Sequence, residues 1–219
     1  MSDTDSFIDE VSEEVQRDAL YGYFKRYGWI ALLLVFAIVG GAAYNEYNKA
    51  QATAAAQDAG DQLMAALSND NAEDRATALE AVTLTGPAAA VAGFTKAAIA
   101  QETDDIDGAR AALDAIALNA DLPAIYRDLA AFKSALLPND DSDARSAALT
   151  ALAIPGAPFA LLAQEQLALI QVEAGNTDGA IDALRAIAEN AETTRGLRER
   201  AQTLIVALGG ALDQDETSQ

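Results

Sequence analysis

Two stretches decide the fold: Asp107-Gly108-Ala109-Arg110-Ala111-Ala112-Leu113-Asp114-Ala115-Ile116-Ala117 and Asp178-Gly179-Ala180-Ile181-Asp182-Ala183-Leu184-Arg185-Ala186-Ile187-Ala188. They lie 71 residues apart, and Asn119-Ala120 and Asn190-Ala191 extend the match at that offset. Between them runs Asp143-Ala144-Arg145-Ser146-Ala147-Ala148-Leu149, with Ala144 35 residues beyond Ala109 and 36 before Ala180. Upstream, Asp74-Arg75-Ala76-Thr77-Ala78-Leu79 continues the series at a further 35. A fixed period of this size is the mark of stacked supersecondary units.

A spacing of 35–36 is close to the 34 residues of tetratricopeptide repeats, each a helical hairpin. In such a unit a small residue on the second helix lets it approach the first. Ala109, Ala144 and Ala180 fit that role, with Leu113, Leu149 and Leu184 as the larger knobs. The first helices then fall at 88–102, 124–137 and 158–174, and the run from Arg195 to Leu208 caps the stack. The competing explanation is composition, because alanine-rich helices resemble one another; the eleven-position match with its shared Asp-Gly favours a true repeat. Breakers such as Thr85-Gly86-Pro87, Pro138-Asn139-Asp140-Asp141 and Gly175-Asn176-Thr177 recur every 10–20 residues, as helical hairpins require. No run alternates with the period of two that a strand needs. The fold class expected is all-α, with a degenerate helical-hairpin repeat domain over 45–210 and a disordered acidic tail over 211–219.

Stacked hairpins present a concave face lined by first helices. Counting back from the marker alanines places Phe94, Gln101, Tyr126, Lys133, Leu162 and Glu165 there as candidate partner-binding residues. The plainer reading of the apolar ones is inter-helix packing. Gln164 and Gln171 stand where large apolar side chains are usual, so the register is degenerate.

Outward from the repeats, residues 28–44 read Gly-Trp-Ile-Ala-Leu-Leu-Leu-Val-Phe-Ala-Ile-Val-Gly-Gly-Ala-Ala-Tyr, without a charge. That is about the ~17-residue minimum for a helix crossing hydrocarbon. Trp29 and Tyr44 sit at its edges, where amphipathic rings favour the headgroup level, and Lys25 and Arg26 abut its start. We read it as a single transmembrane helix. A secretory signal and a buried core helix are the competing readings; the long N-terminal flank and the lack of a clear cleavage site argue against the first. Basic residues stay in the cytoplasm, so the N-terminus is expected inside and the repeat domain across the membrane, periplasmic if the chain is bacterial. Residues 1–27 form a cytoplasmic segment in which Ile8, Val11, Val15, Ala19 and Tyr23 make an apolar stripe. That amphipathic helix suits a membrane surface or a partner protein. Past the span, Ala52, Ala55, Ala56, Ala59, Leu63, Ala66 and Leu67 make a further small-sided stripe.

Among 219 residues there is neither histidine nor cysteine, and the formal net charge is -20. Ser-His and Cys-His catalysis, histidine metal ligation, soft-metal sites and disulfides are thereby excluded. No phosphate-cradling glycine loop is present. An enzyme is not expected, nor a cofactor or metal. The acidity repels nucleic acid and anionic lipid.

The order of parts resembles the membrane-anchored ancillary subunits of the bacterial SecYEG translocon, the YfgM-like family and its alphaproteobacterial relatives. Phe7-Ile8-Asp9-Glu10-Val11-Ser12-Glu13-Glu14-Val15-Gln16-Arg17 and Phe24-Lys25-Arg26-Tyr27-Gly28 carry the resemblance. It covers the whole chain in architecture and is specific in the first 50 residues. It implies a single-pass inner-membrane protein with a periplasmic repeat scaffold, partnered by a SecYEG-like complex and by periplasmic proteins or chaperones. It brings no catalytic residues. The alternative is a structural or assembly subunit of another membrane complex, a respiratory one for instance.

Overall fold

The computed structural model describes residues 3–139 and 141–211, with side chains described from Arg26 onward except at 28 and 31. Among the described residues there are nine helices and no strand. They are α1 (Asp3–Leu67), α2 (Ala72–Ala81), α3 (Gly86–Glu102), α4 (Ile106–Ala117), α5 (Ala124–Leu136), α6 (Ser142–Leu152), α7 (Ala160–Glu173), α8 (Thr177–Glu189) and α9 (Arg195–Ala207). The chain divides into two compact units, residues 1–58 and 59–219.

In the first unit every described side chain from Arg26 to Asp58 is exposed. Trp29 and Tyr44 are 64% and 70% exposed. The Arg26 guanidinium lies 6.0 Å from the Tyr27 ring centroid, within cation–π range. Ala52, Ala55 and Ala56, read as the start of a packing stripe, are uncovered, whereas Ala59 and Ala66 further on are buried. Among the described residues no helix is long and apolar enough to cross a membrane. The span read over 28–44 includes Gly28 and Ala31, whose side chains lie outside the described residues. So do the side chains of the amphipathic stripe and of Lys25, and the tail from Leu212 onward.

In the second unit the helices from α2 to α9 each pack on the next, and α3 also meets α5. The core is a chain of overlapping clusters rather than one centre. Ala66 joins Leu79 of α2 and Ile99 of α3. Ala90 and Ala97 of α3 meet Leu113 and Ile116 of α4 and Ala130 of α5. Phe132 of α5 meets Leu149 of α6 and Ala163 of α7. Ala168 of α7 meets Leu184 and Ile187 of α8 and Ala201 and Ile205 of α9. Each of α3, α5 and α7 thus serves two clusters, so packing runs between neighbours along the chain.

The second helix of every hairpin starts in the same way. Asn71, Asp105, Asp141 and Asn176 sit at the N-caps of α2, α4, α6 and α8. Each side-chain carboxyl or amide oxygen accepts from the backbone N–H three residues on, at 2.8–3.2 Å, satisfying a donor the helix cannot. Eight residues after each cap comes Leu79, Leu113, Leu149 or Leu184, none more than 1% exposed. Two turns of helix return that side chain to the packed face.

This register corrects one expectation. Ala109 and Ala180, four residues past their caps, are fully buried, but Ala144 is exposed. It falls three past Asp141, level with Gly108 and Gly179. The buried slot of α6 holds Arg145, as that of α2 holds Arg75, each about one-fifth exposed or less. Arg75 reaches Glu102 at 2.7 Å, and Arg145 pairs with Glu173. Alanine and arginine therefore alternate in this slot along α2, α4, α6 and α8. The bounds of α9 are those of α5 displaced by 71 residues at both ends. The left-handed residue after α3 is Asp104 (φ 58°), and its counterpart after α7 is Gly175 (φ 79°).

Glycine occupies that region without the Cβ penalty that Asp104 bears. Asp104→Gly should therefore raise stability by about 0.5–1 kcal/mol, and Gly175→Ala should lower it by about 1 kcal/mol. Thermal unfolding of the full chain followed by circular dichroism should show shifts of opposite sign.

Candidate docking surface

The first helices α3, α5, α7 and α9 lie side by side, and each lateral contact uses different chemistry. α3 meets α5 directly. Phe132 of α5 and Phe159, the residue preceding α7, stack with centroids 5.8 Å apart and planes 14° from parallel. From α9, Arg200 grips Glu165 of α7 through two hydrogen bonds, Nε to Oε1 at 2.9 Å and Nη2 to Oε2 at 2.8 Å. The Glu165 hydrogen bond raises the Arg200 pKa; desolvation works against this, and the Coulombic attraction of Glu165 adds to the rise.

That pair removes Glu165 from the candidate partner-binding set. It is buried, 5% exposed, and both carboxylate oxygens are engaged. Seventy-one residues earlier stand Phe94 and Leu129, two apolar side chains at the offset of this ion pair. Phe94 and Tyr126 are partly buried against the α3–α4–α5 cluster. Leu162 packs partly buried against both clusters that flank α7. These three are packing residues first. Gln101 and Lys133 are exposed, although Gln101 donates its side-chain amide to the Ala97 carbonyl at 3.1 Å. Of the six, Glu165 is buried, Phe94, Tyr126 and Leu162 are half-buried, and Gln101 and Lys133 are exposed.

Open space lies elsewhere. A cleft of about 370 Å³ lies among α2, α3 and α4, with Glu73 and Glu80 on its rim and Ala76, Ile99, Ala100 and Ala112 in its floor. A second, of about 360 Å³, is lined by Val82, Leu84, Ala92, Ile116 and Leu122. Lys96 and Ala112 line both, so the two are ends of one groove along α3. Gly93 lets the helices close there: a Cβ on it would stand 2.7 Å from the Ile116 side chain. A third cleft, of about 370 Å³ among α4, α5 and α6, has its polar side chains engaged with one another and with the backbone. In it Ser134 donates to Asp114 at 2.8 Å, and Arg110 donates to the carbonyls of Ser134 and Pro138.

The groove residues escaped sequence reasoning, which counted positions from the marker alanines along one face. The signal that could have found them is the comparison of the two halves. Lys96 and Ala100 stand where the second half has Leu167 and Gln171. Gln171 lies against α8, 3.3 Å from the Asn176 side chain, filling a position that alanine leaves open in the first half. For chemistry the groove offers carboxylates, one amine and apolar walls. Among the described residues no group of three or more metal-ligating side chains is assembled.

The Glu165–Arg200 pair gives a test of this packing. Replacing both by their first-half counterparts, Glu165→Phe with Arg200→Leu, should leave stability within about 1 kcal/mol or raise it, since buried pairs exchange well for apolar ones. Arg200→Leu alone strands a buried carboxylate and should cost about 2 kcal/mol at neutral pH. Chemical denaturation of the three variants separates these outcomes. Comparison of the chain with models of known protein families, with curated proteins and with solved structures gives no match.

Proposed function

We propose that this is a non-catalytic, single-pass inner-membrane protein whose tetratricopeptide-like helical repeats form a periplasmic docking scaffold beside a SecYEG-like translocon and its chaperones. One observation carries the reading. Twelve large apolar side chains from Tyr27 to Tyr47, among them Trp29, Leu33, Phe36 and Val39, are all at least 45% exposed. They surround the helix on every side. Burying one such side chain is worth ~1.5–3 kcal/mol, and a helix apolar all round is built for a bilayer or a protein interior. Trp29 and Tyr44 bracket the stretch, and Arg26 lies on the side assigned to the cytoplasm. The repeat unit supports the docking role through its nearest-neighbour helical stack, an architecture that offers extended surface and concentrates no reactive side chains. The translocon assignment rests on the resemblance of residues 7–28.

Protease added to spheroplasts should trim the chain to a short membrane stub. Full protection would reverse the topology. A photoreactive residue at exposed Lys133 should give adducts with SecY and with nascent exported chains. Adducts confined to respiratory subunits would instead assign the chain to the assembly of that complex.

A further inference from the structure

We infer that the groove along α3 binds a protein segment in which lysine or arginine residues lead directly into an apolar run. The inference rests on the docking reading above and names the occupant.

The groove has two chemically different ends. At one, Glu73 and Glu80 stand exposed over a floor of small side chains. Neither carboxylate has a cationic partner among the described residues. At the other end no carboxylate is among the described lining residues: Val82, Leu84, Ile116 and Leu122 supply hydrocarbon, Asn119 an amide and Lys96 the charge. Lys96 stands where the ends meet and likewise forms no ion pair among the described residues. Its ammonium group can donate to main-chain carbonyls of an occupant. Charge complementarity selects cations for the acidic end, and desolvation selects hydrocarbon for the other. α3 has 17 residues, so the groove runs for at most ~25 Å at 1.5 Å per residue. That admits about seven residues of extended chain.

The duplication argues that the opening is particular to this half. The same hairpin geometry recurs 71 residues on, where Gln171 and Leu167 occupy the positions of Ala100 and Lys96. An alanine-floored groove is therefore not a by-product of the repeat. At these positions one half carries leucine and glutamine and the other lysine and alanine.

The test uses the full chain in zwitterionic nanodiscs and a labelled peptide, Lys-Arg-Lys-Leu-Leu-Ala-Leu-Leu, read by fluorescence anisotropy against empty discs. Saturable binding to the protein is expected, with the affinity falling at least tenfold on Glu73→Lys with Glu80→Lys. Ala100→Gln, which imports the residue of the other half, should weaken binding similarly while leaving the thermal unfolding midpoint unchanged. A peptide with glutamate in place of its three basic residues should bind at least tenfold more weakly. Equal binding of the two peptides, equal binding by the variants, or no saturable binding would each overturn the inference. The Lys133 adducts to SecY would survive such a result, so loss of the groove and loss of the docking scaffold are read separately.

Discussion

The second unit depends on one steric constraint: its helices meet through alanine, with a single large side chain locking each hairpin. Ala90, Ala97, Ala109, Ala130, Ala163, Ala168, Ala180 and Ala201 are all fully buried. Side chains this small put helix axes near the close end of the usual 8–10 Å range. Backbones then supply much of the contact, and there is little room to adjust. The leucine two turns past each N-cap fills the remaining space between three helices. The cap and the leucine act together, because the cap sets where the helix begins and so which way that leucine faces. A slip of one residue would rotate the leucine about 100° out of the core.

The same constraint explains what could be read from the sequence and what could not. The breakers and the 71-residue match were visible as residue identities, and the all-α architecture follows from them. The rotation of α6 was not visible. Ala144 matched Ala109 by identity, yet Asp141 caps the helix one residue away from where that match would place it. Capping is a local hydrogen bond, and alanine has no such specificity. The burial of Glu165 is illegible in the sequence for a different reason. A carboxylate on a helix face reads as exposed, and its partner Arg200 lies 35 residues away. Long-range pairing of this kind leaves no periodic trace.

The two halves share a backbone plan and differ in how they finish it. At corresponding positions one uses Phe94 and Leu129 where the other uses Glu165 and Arg200, and Ala100 answers to Gln171. At each of these positions the chemistry of the side chain changes. The alternation of alanine and arginine past the caps is kept in both halves, because it decides whether a second helix sits tight or is held by an ion pair. The capping contacts are thus repeated, while the lateral contacts between first helices diverge.

Each helix from α3 to α8 finds its main partners in the helices just before and after it in sequence, and α2 and α9 pack on α3 and α8. A chain delivered from one end therefore never waits long for a distant segment. Every hairpin has its platform already laid when it arrives, and loop-closure entropy stays small at each step. Such a stack can be built like a ladder, rung by rung, as the polypeptide emerges.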